Sequence, residues 1–216
     1  MCRTRSLSLS PFWGTGRGEG FLDRPDLPEY AANMSSVQMA PLTVEDYRLL
    51  PETGPRYQLI EGDLHMAPAP NRFHQDISGN IFLLIAAYLK RHRIGKVYCA
   101  PFDVYLDENN VFQPDVLFVS KKNDILTPAG AEGAPDFIVE ILSPKTAFLD
   151  KKNKRRVYAR CGVKELWLID PDTRAIQIYF LQKDAERPAV NHTVKDTFTS
   201  PHFPGLKFKA AEIFAS

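Results

Sequence analysis

The chain has 216 residues, 44% of them hydrophobic and 25% charged, with 27 basic against 26 acidic side chains. That length suits one domain with a real core, and the composition is that of a soluble globular protein. No apolar run is long enough to span a bilayer, no membrane partner is expected, and the net charge of +1 says nothing by itself about nucleic acid.

Residues 1–38 carry arginine and serine without periodicity and lack the apolar core of a secretory signal, so they read as a disordered N-terminal extension, with Met34 or Met39 as the candidate true start. Residues 39–216 read as a single domain. Thr43 followed by Asp46 is the capping pattern for a short helix over VEDYRLL. RYQLIEGDLHMA predicts two short strands hinged at Glu61-Gly62-Asp63. From Phe73 to about Arg91 apolar residues recur at helical spacing (Ile77, Ile81, Leu84, Ile85, Tyr88, Leu89), which predicts the longest helix. KVYCAPFDVYL and VFQPDVLFV are β-rich runs separated by DENN. PDFIVEIL, a basic helix over about 147–161, ELWLID and AIQIYFLQ follow, with Gly162 to stop the helix and Pro171 to close the next strand. The tail from about residue 190 predicts a last strand and a short helix. This order predicts an α/β (α+β) fold with a mixed sheet: antiparallel hairpins in one part, a strand–helix–strand unit over 137–170 in the other. The scattered cysteines Cys2, Cys99 and Cys161 suit neither a disulfide framework nor a zinc site, and fit a reducing cytoplasm.

Three polar residues break the apolar pattern. Glu140 sits in the middle of FIVEIL, where a carboxylate is costly unless it is paired or holds a metal. Asp115 stands behind Pro114 at the mouth of VLFV. Lys154 shares one helix side with Asp150, Val157, Tyr158 and Cys161, at spacings of three and four. The bland readings are a core ion pair for Glu140, a turn acid for Asp115, and an Asp150–Lys154 surface pair. The chemical reading is two carboxylates on neighbouring strands as a hard oxygen site for Mg²⁺, with a lysine reaching in from the next helix. Between Lys145 and Lys164 the basic residues include Lys151, Lys152, Arg155 and Arg156, with Asp150 the sole acid. That block reads either as a phosphate-facing surface or as a solvated helix face, with Lys151, Lys152, Arg155 and Arg156 pointing outward. Metal-assisted phosphodiester hydrolysis is the reaction class these residues suggest.

QPDVLFV, APDFIVEILSP and DKKNKRRVYARCGVKELWLIDP resemble the Uma2 (Uma-two) family of endonucleases, within the PD-(D/E)XK, restriction-endonuclease-like superfamily. RYQLIEGDL, APFDVYL and SPHFPGLKF extend the resemblance from about Leu42 to Phe214. It implies a mixed sheet flanked by helices, with Asp115 and Glu140 as metal ligands, the Ile141 carbonyl beside them, and Mg²⁺ (or Mn²⁺) as cofactor. Leu142 stands where the superfamily usually carries a lysine, and Lys154 takes that role from the helix; Lys145 is its rival. Gln58 stands where the family commonly has a glutamate, while Glu61 keeps the usual acid before Gly62. His74, Asp150 and Tyr158 are expected in supporting roles, and Lys145, Lys151, Lys152 and Arg155 on nucleic acid. The resemblance implies a Mg²⁺-dependent DNA endonuclease, working as a homodimer because two strands need two sites. The alternative is a nucleic-acid-binding module of the same fold with a degraded site, motivated by Gln58 and Leu142.

Overall fold

The computed structural model describes residues 40–51, 53–67, 69–143 and 153–215. The extension expected over 1–38 lies outside them.

Helix α1 (Val44–Arg48) opens on a capping box: Asp46 N–H donates to the Thr43 hydroxyl at 3.4 Å and Thr43 N–H to the Asp46 carboxylate at 2.8 Å. Strands β1 (Tyr57–Ile60) and β2 (Asp63–Met66) pair antiparallel around a two-residue turn, with Ile60 opposite Asp63. Glu61 and Gly62 both have positive φ, 52° and 86°, as a primed turn requires. Gly62 is also sterically fixed, because a Cβ there would lie 2.3 Å from Cβ of Pro41.

Helix α2 (Arg72–His92) begins where the Asn71 side chain accepts the His74 N–H at 2.9 Å. Its stripe of Ile77, Ile81, Ile85, Tyr88 and Leu89 is buried, as the 3.6-residue period predicts.

The two β-rich runs that follow each split between sheets. β3 (Gly95–Cys99) and β6 (Val116–Ser120) pair in one sheet, whereas β4 (Val104–Asp107) and β5 (Asn110–Phe112) form a hairpin in the other. The breaks fall at Pro101 and Pro114, which lack the N–H that a ladder needs. β7 (Leu126–Thr127) and β8 (Gly130–Glu132) extend the hairpin sheet and carry too few residues for a readable period.

β9 (Phe137–Ile141), α3 (Arg155–Cys161) and β10 (Glu165–Asp170) form the expected strand–helix–strand unit, with β9 and β10 parallel. The part of the basic helix predicted before Asn153 lies outside the described residues. Gly162, at φ 103°, ends α3 in the left-handed conformation that glycine adopts freely. β11 (Ala175–Phe180) and β12 (Val190–His192) continue the sheet. The tail holds more strand than the sequence suggests: β13 (Thr197–Phe198) pairs with β14 (Phe208–Lys209) before α4 (Ala210–Ile213).

Among the described residues the strands form two six-stranded sheets, ordered β2-β1-β5-β4-β8-β7 and β12-β11-β10-β9-β6-β3, and the two-stranded β13-β14. The second is apolar on both faces. Phe118, Phe137, Val139, Trp167 and Ile169 pack with α2 and with Phe203 and Phe208. The alternate residues Leu117, Ile138, Leu166 and Leu168 pack with Val157 and Tyr158 of α3 and with Val104 and Phe112 of the first sheet. Each such side chain contributes about 1.5–3 kcal/mol on full burial. A sheet covered on both faces explains why FIVEIL, Glu140 apart, reads as a continuous apolar run rather than an alternation.

Candidate active site

The site grows out of the antiparallel pairing of β6 with β9. Val116 lies opposite Val139 and Leu117 opposite Ile138. Extended by one step, that register sets Asp115 opposite Glu140. Opposed residues of an antiparallel pair project to the same face, and two carboxylates there repel unless something offsets their charge.

Glu140 is offset by α3. It shares the strand parity of Ile138, so it projects to the face that α3 covers. Lys154 Nζ lies 3.2 Å from each Glu140 oxygen, and the Tyr158 hydroxyl donates to Oε1 at 2.5 Å. All three groups are deeply buried; Glu140 is 3% exposed and Lys154 4%. Phe112 of the first sheet closes the other side, with Lys154 Nζ 5.7 Å from its ring centre and the Tyr158 ring edge-on to it at 5.2 Å. Lys154 therefore points inward with Val157 and Tyr158, as the helix spacing predicts.

Asp115 is held from the opposite side. One oxygen accepts the Ile141 N–H at 2.6 Å, and the other lies 3.1 Å from His74 Nε2 in the first turn of α2. His74 Nδ1 is buried and has no hydrogen-bond partner among the described residues. The N–H and C=O of a strand residue point to the same side, so the Ile141 carbonyl faces the edge where Asp115 sits. Gln58 of β1 accepts the Gln113 N–H at 3.2 Å.

Gln58, His74, Asp115, Glu140, Ile141 and Lys154 line one cavity of about 410 Å³, with Leu142 at its wall. Tyr158 reaches it through Glu140. Glu61 does not join them. It lies in the turn beyond the end of β1, three residues or roughly 10 Å along the chain from Gln58, and its half-exposed side chain faces Arg160 at 3.9 Å.

Arg155 corrects the sequence reading. It is not outward-facing but 8% exposed, 3.0 Å from Glu186, 3.3 Å from the Tyr179 hydroxyl and stacked over the Tyr179 ring. A guanidinium so engaged anchors α3 to β11 rather than projecting into solvent. Lys145, Asp150, Lys151 and Lys152 lie outside the described residues.

Sequence reasoning also passed over Glu165, which is fully buried. Its oxygens accept from Trp167 Nε1 at 2.7 Å and the Ser200 hydroxyl at 2.9 Å. ELWLID carries a weaker form of the signal that exposed Glu140, because its acid opens the apolar run instead of interrupting it.

Among the described residues no group of three or more His, Cys, Asp or Glu side chains is arranged to hold a metal. The donors present still fit a small hard cation. Mg²⁺ is commonly held by one or two carboxylates and keeps several waters, with substrate phosphates completing its shell. Asp115, Glu140 and the Ile141 carbonyl are such a set.

A mixed α+β architecture of this kind is that of the restriction-endonuclease-like fold class. The chain matches the Uma2 family, described as "Putative restriction endonuclease", over residues 44–211, and belongs to it. It is similar in structure to "a putative nuclease belonging to DUF820 from Anabaena variabilis ATCC 29413", with a TM-score of 0.66 and 22% identity over 81% of this chain and 98% of that one. At that identity the likeness speaks for the fold. No curated protein matches the chain. The family is one of nucleases, which hydrolyse phosphodiester bonds in nucleic acid. Among the described residues no helix is long and apolar enough to cross a membrane.

Proposed function

We propose that the protein is a Mg²⁺-dependent endonuclease that hydrolyses phosphodiester bonds in DNA, in the cytoplasm. One observation carries this: Asp115 and Glu140 face each other across β6 and β9 at the wall of a single cavity, with Lys154 on Glu140. Asp115, Glu140 and the Ile141 carbonyl would hold the cation. When bound, Mg²⁺ supplies Lewis-acid polarisation of the phosphodiester and offsets its charge; Mn²⁺ substitutes. Lys154 orients the attacking water or neutralises charge building on phosphorus. Tyr158 keeps Lys154 and Glu140 in register, with Asp150 in the same supporting role. His74 fixes the orientation of Asp115. Lys145, Lys151 and Lys152 contact the phosphate backbone. Two copies act together as a homodimer, one site per strand.

The test is DNA cleavage by the purified protein in Mg²⁺ or Mn²⁺, beside calorimetric titration of each metal. Asp115→Asn and Glu140→Gln should lower divalent-dependent cleavage by about 10²–10³-fold or more, the scale set by loss of one preorganised electrostatic group. Absence of both cleavage and a divalent binding signal in the wild-type protein and in Gln58→Glu would sink the proposal. A second reading, a nucleic-acid-binding module with a degraded site, draws on Gln58, which brings no charge to the cavity, and on Leu142 at its wall. Salt-sensitive DNA binding without metal binding would favour it.

A further inference from the structure

Three basic side chains line the cavity, and two are engaged by acids: His74 by Asp115 and Lys154 by Glu140. The third is Arg56, at the base of the β1–β2 hairpin, where its carbonyl accepts the Ala67 N–H at 2.8 Å. Its half-buried side chain makes no ion pair or hydrogen bond among the described residues. A partly desolvated guanidinium with its donors unspent favours an incoming anion, and its planar fork matches a phosphate.

The facing wall is one side of α2. Asn71, Gln75, Ser78, Gly79 and Phe82 all line the cavity. Their spacings of four, three, one and three residues form a single helical stripe, about 16 Å long at 1.5 Å per residue. The polar groups come first. A Cβ on Gly79 would meet nothing within 4 Å, so the wall is open there. The half-buried Phe82 ring ends the stripe.

The catalytic carboxylates stand at the wall of a space of about 410 Å³, and Glu140 is 3% exposed. Cavities of roughly 300–1,000 Å³ enclose one small ligand. A stacked duplex carries its phosphates on the outside of a wide rod, which such a space admits less readily than a single strand. Enzymes that must reach an atom inside a pocket take a nucleotide out of the stack.

We propose that the cavity takes one unpaired nucleotide of a DNA strand, with Arg56 on the phosphate next to the one that is cut and Phe82 against the base. Which phosphate is cut rests on the nuclease reading above; the binding mode does not. The preferred DNA is then single-stranded, flapped or locally melted.

Binding in EDTA separates recognition from chemistry. The probes are fluorescein-labelled oligo-dT, a blunt duplex of equal length and a duplex with a single-stranded flap, followed by anisotropy over a range of salt. Oligo-dT and the flap should bind at least tenfold more tightly than the blunt duplex. Arg56→Ala should weaken oligo-dT binding about tenfold and reduce the salt slope by about one. Arg56→Lys should keep the slope, since it keeps the charge. Phe82→Leu should weaken oligo-dT binding fivefold or more, the lower range for loss of one stacked base, with slope and duplex binding unchanged. Cys99 is an exposed free thiol on the cavity lining, so bound oligo-dT should slow its maleimide labelling and spare Cys161, read by peptide mass. Equal affinity for blunt duplex, an unchanged affinity and slope in Arg56→Ala, or an unchanged Cys99 labelling rate would each overturn the proposal. Cleavage of blunt duplex through Asp115 and Glu140 without these differences keeps the nuclease reading and discards this one. The full set of differences in a protein that binds no divalent cation and cuts nothing does the reverse.

Discussion

Glu140 and Glu165 lie on adjacent strands of one sheet, at 3% and 0% exposure, yet the fold holds them by opposite means. Glu140 meets an ammonium and a phenol, faces Asp115 across the ladder and lines a cavity. Glu165 projects to the other face, beside Trp167, and takes its hydrogen bonds from the neutral Trp167 and Ser200. Burial pushes the Glu165 carboxyl up to about 7, and burial also lowers His202, so their 3.7 Å contact is not an ion pair of two full charges. Burial of an acid therefore does not mark a reactive site. A cation and a second carboxylate kept beside it are what set the candidate site apart.

The largest effect should come from the Glu140 side. Lys154→Met removes the cation facing a buried carboxylate, and Glu140→Gln does the converse. Each should cost about 3–5 kcal/mol, whereas the double variant should recover much of that loss. Urea unfolding at pH 7 measures all three. Simple addition of the two losses would show that Glu140 is no more dependent on a cation than Glu165.

Glu165→Gln tests the other side. A carboxyl with a folded pKa of about 7 against 4.5 in the unfolded chain binds more protons when folded. Its stabilising contribution is fully present below about pH 4.5, falls as pH rises, and is gone above about 7. The total is about 3 kcal/mol at 1.36 kcal/mol per unit. The amide should flatten that part of the stability–pH curve, followed by urea midpoints from pH 4.5 to 8, and leave cleavage unchanged. A lost activity would erase the distinction between the two acids.

The smallest effect concerns Arg155. Arg155→Ala should cost about 1–2 kcal/mol, from a charged hydrogen bond and a stacked contact, without changing DNA affinity or its salt slope. A reduced salt slope would return this residue to the nucleic-acid surface. Denaturant midpoints and anisotropy titrations read the two quantities separately.

Much of the scaffold is legible locally. The stripe of α2, the primed turn at Glu61-Gly62 and the Gly162 stop follow from backbone geometry that a short window of residues dictates. The split of β3 from β4 is less so: Pro101 shows that a ladder breaks there, but not that the chain changes sheets. Helix spacing alone sets Arg155 outward, because one helix face can be buried against either of two layers, and here β11 covers it with Tyr179. Glu165 was overlooked at the start of its strand, where an acid passes as a boundary residue.

The sequence by itself determined that Glu140 sits inside an apolar strand, that Lys154 and Tyr158 share a helix side, and that the chain belongs with restriction-endonuclease-like proteins. Those are matters of period and motif, carried by neighbours in the chain. Only the tertiary structure decided that Asp115 lies opposite Glu140, that His74 and Arg56 come to the same cavity, and which buried acid has a cation beside it. Strand register sets the first and the packing of α2 and β1 the second. The charge of a buried carboxylate depends on what distant segments place within a few ångströms of it.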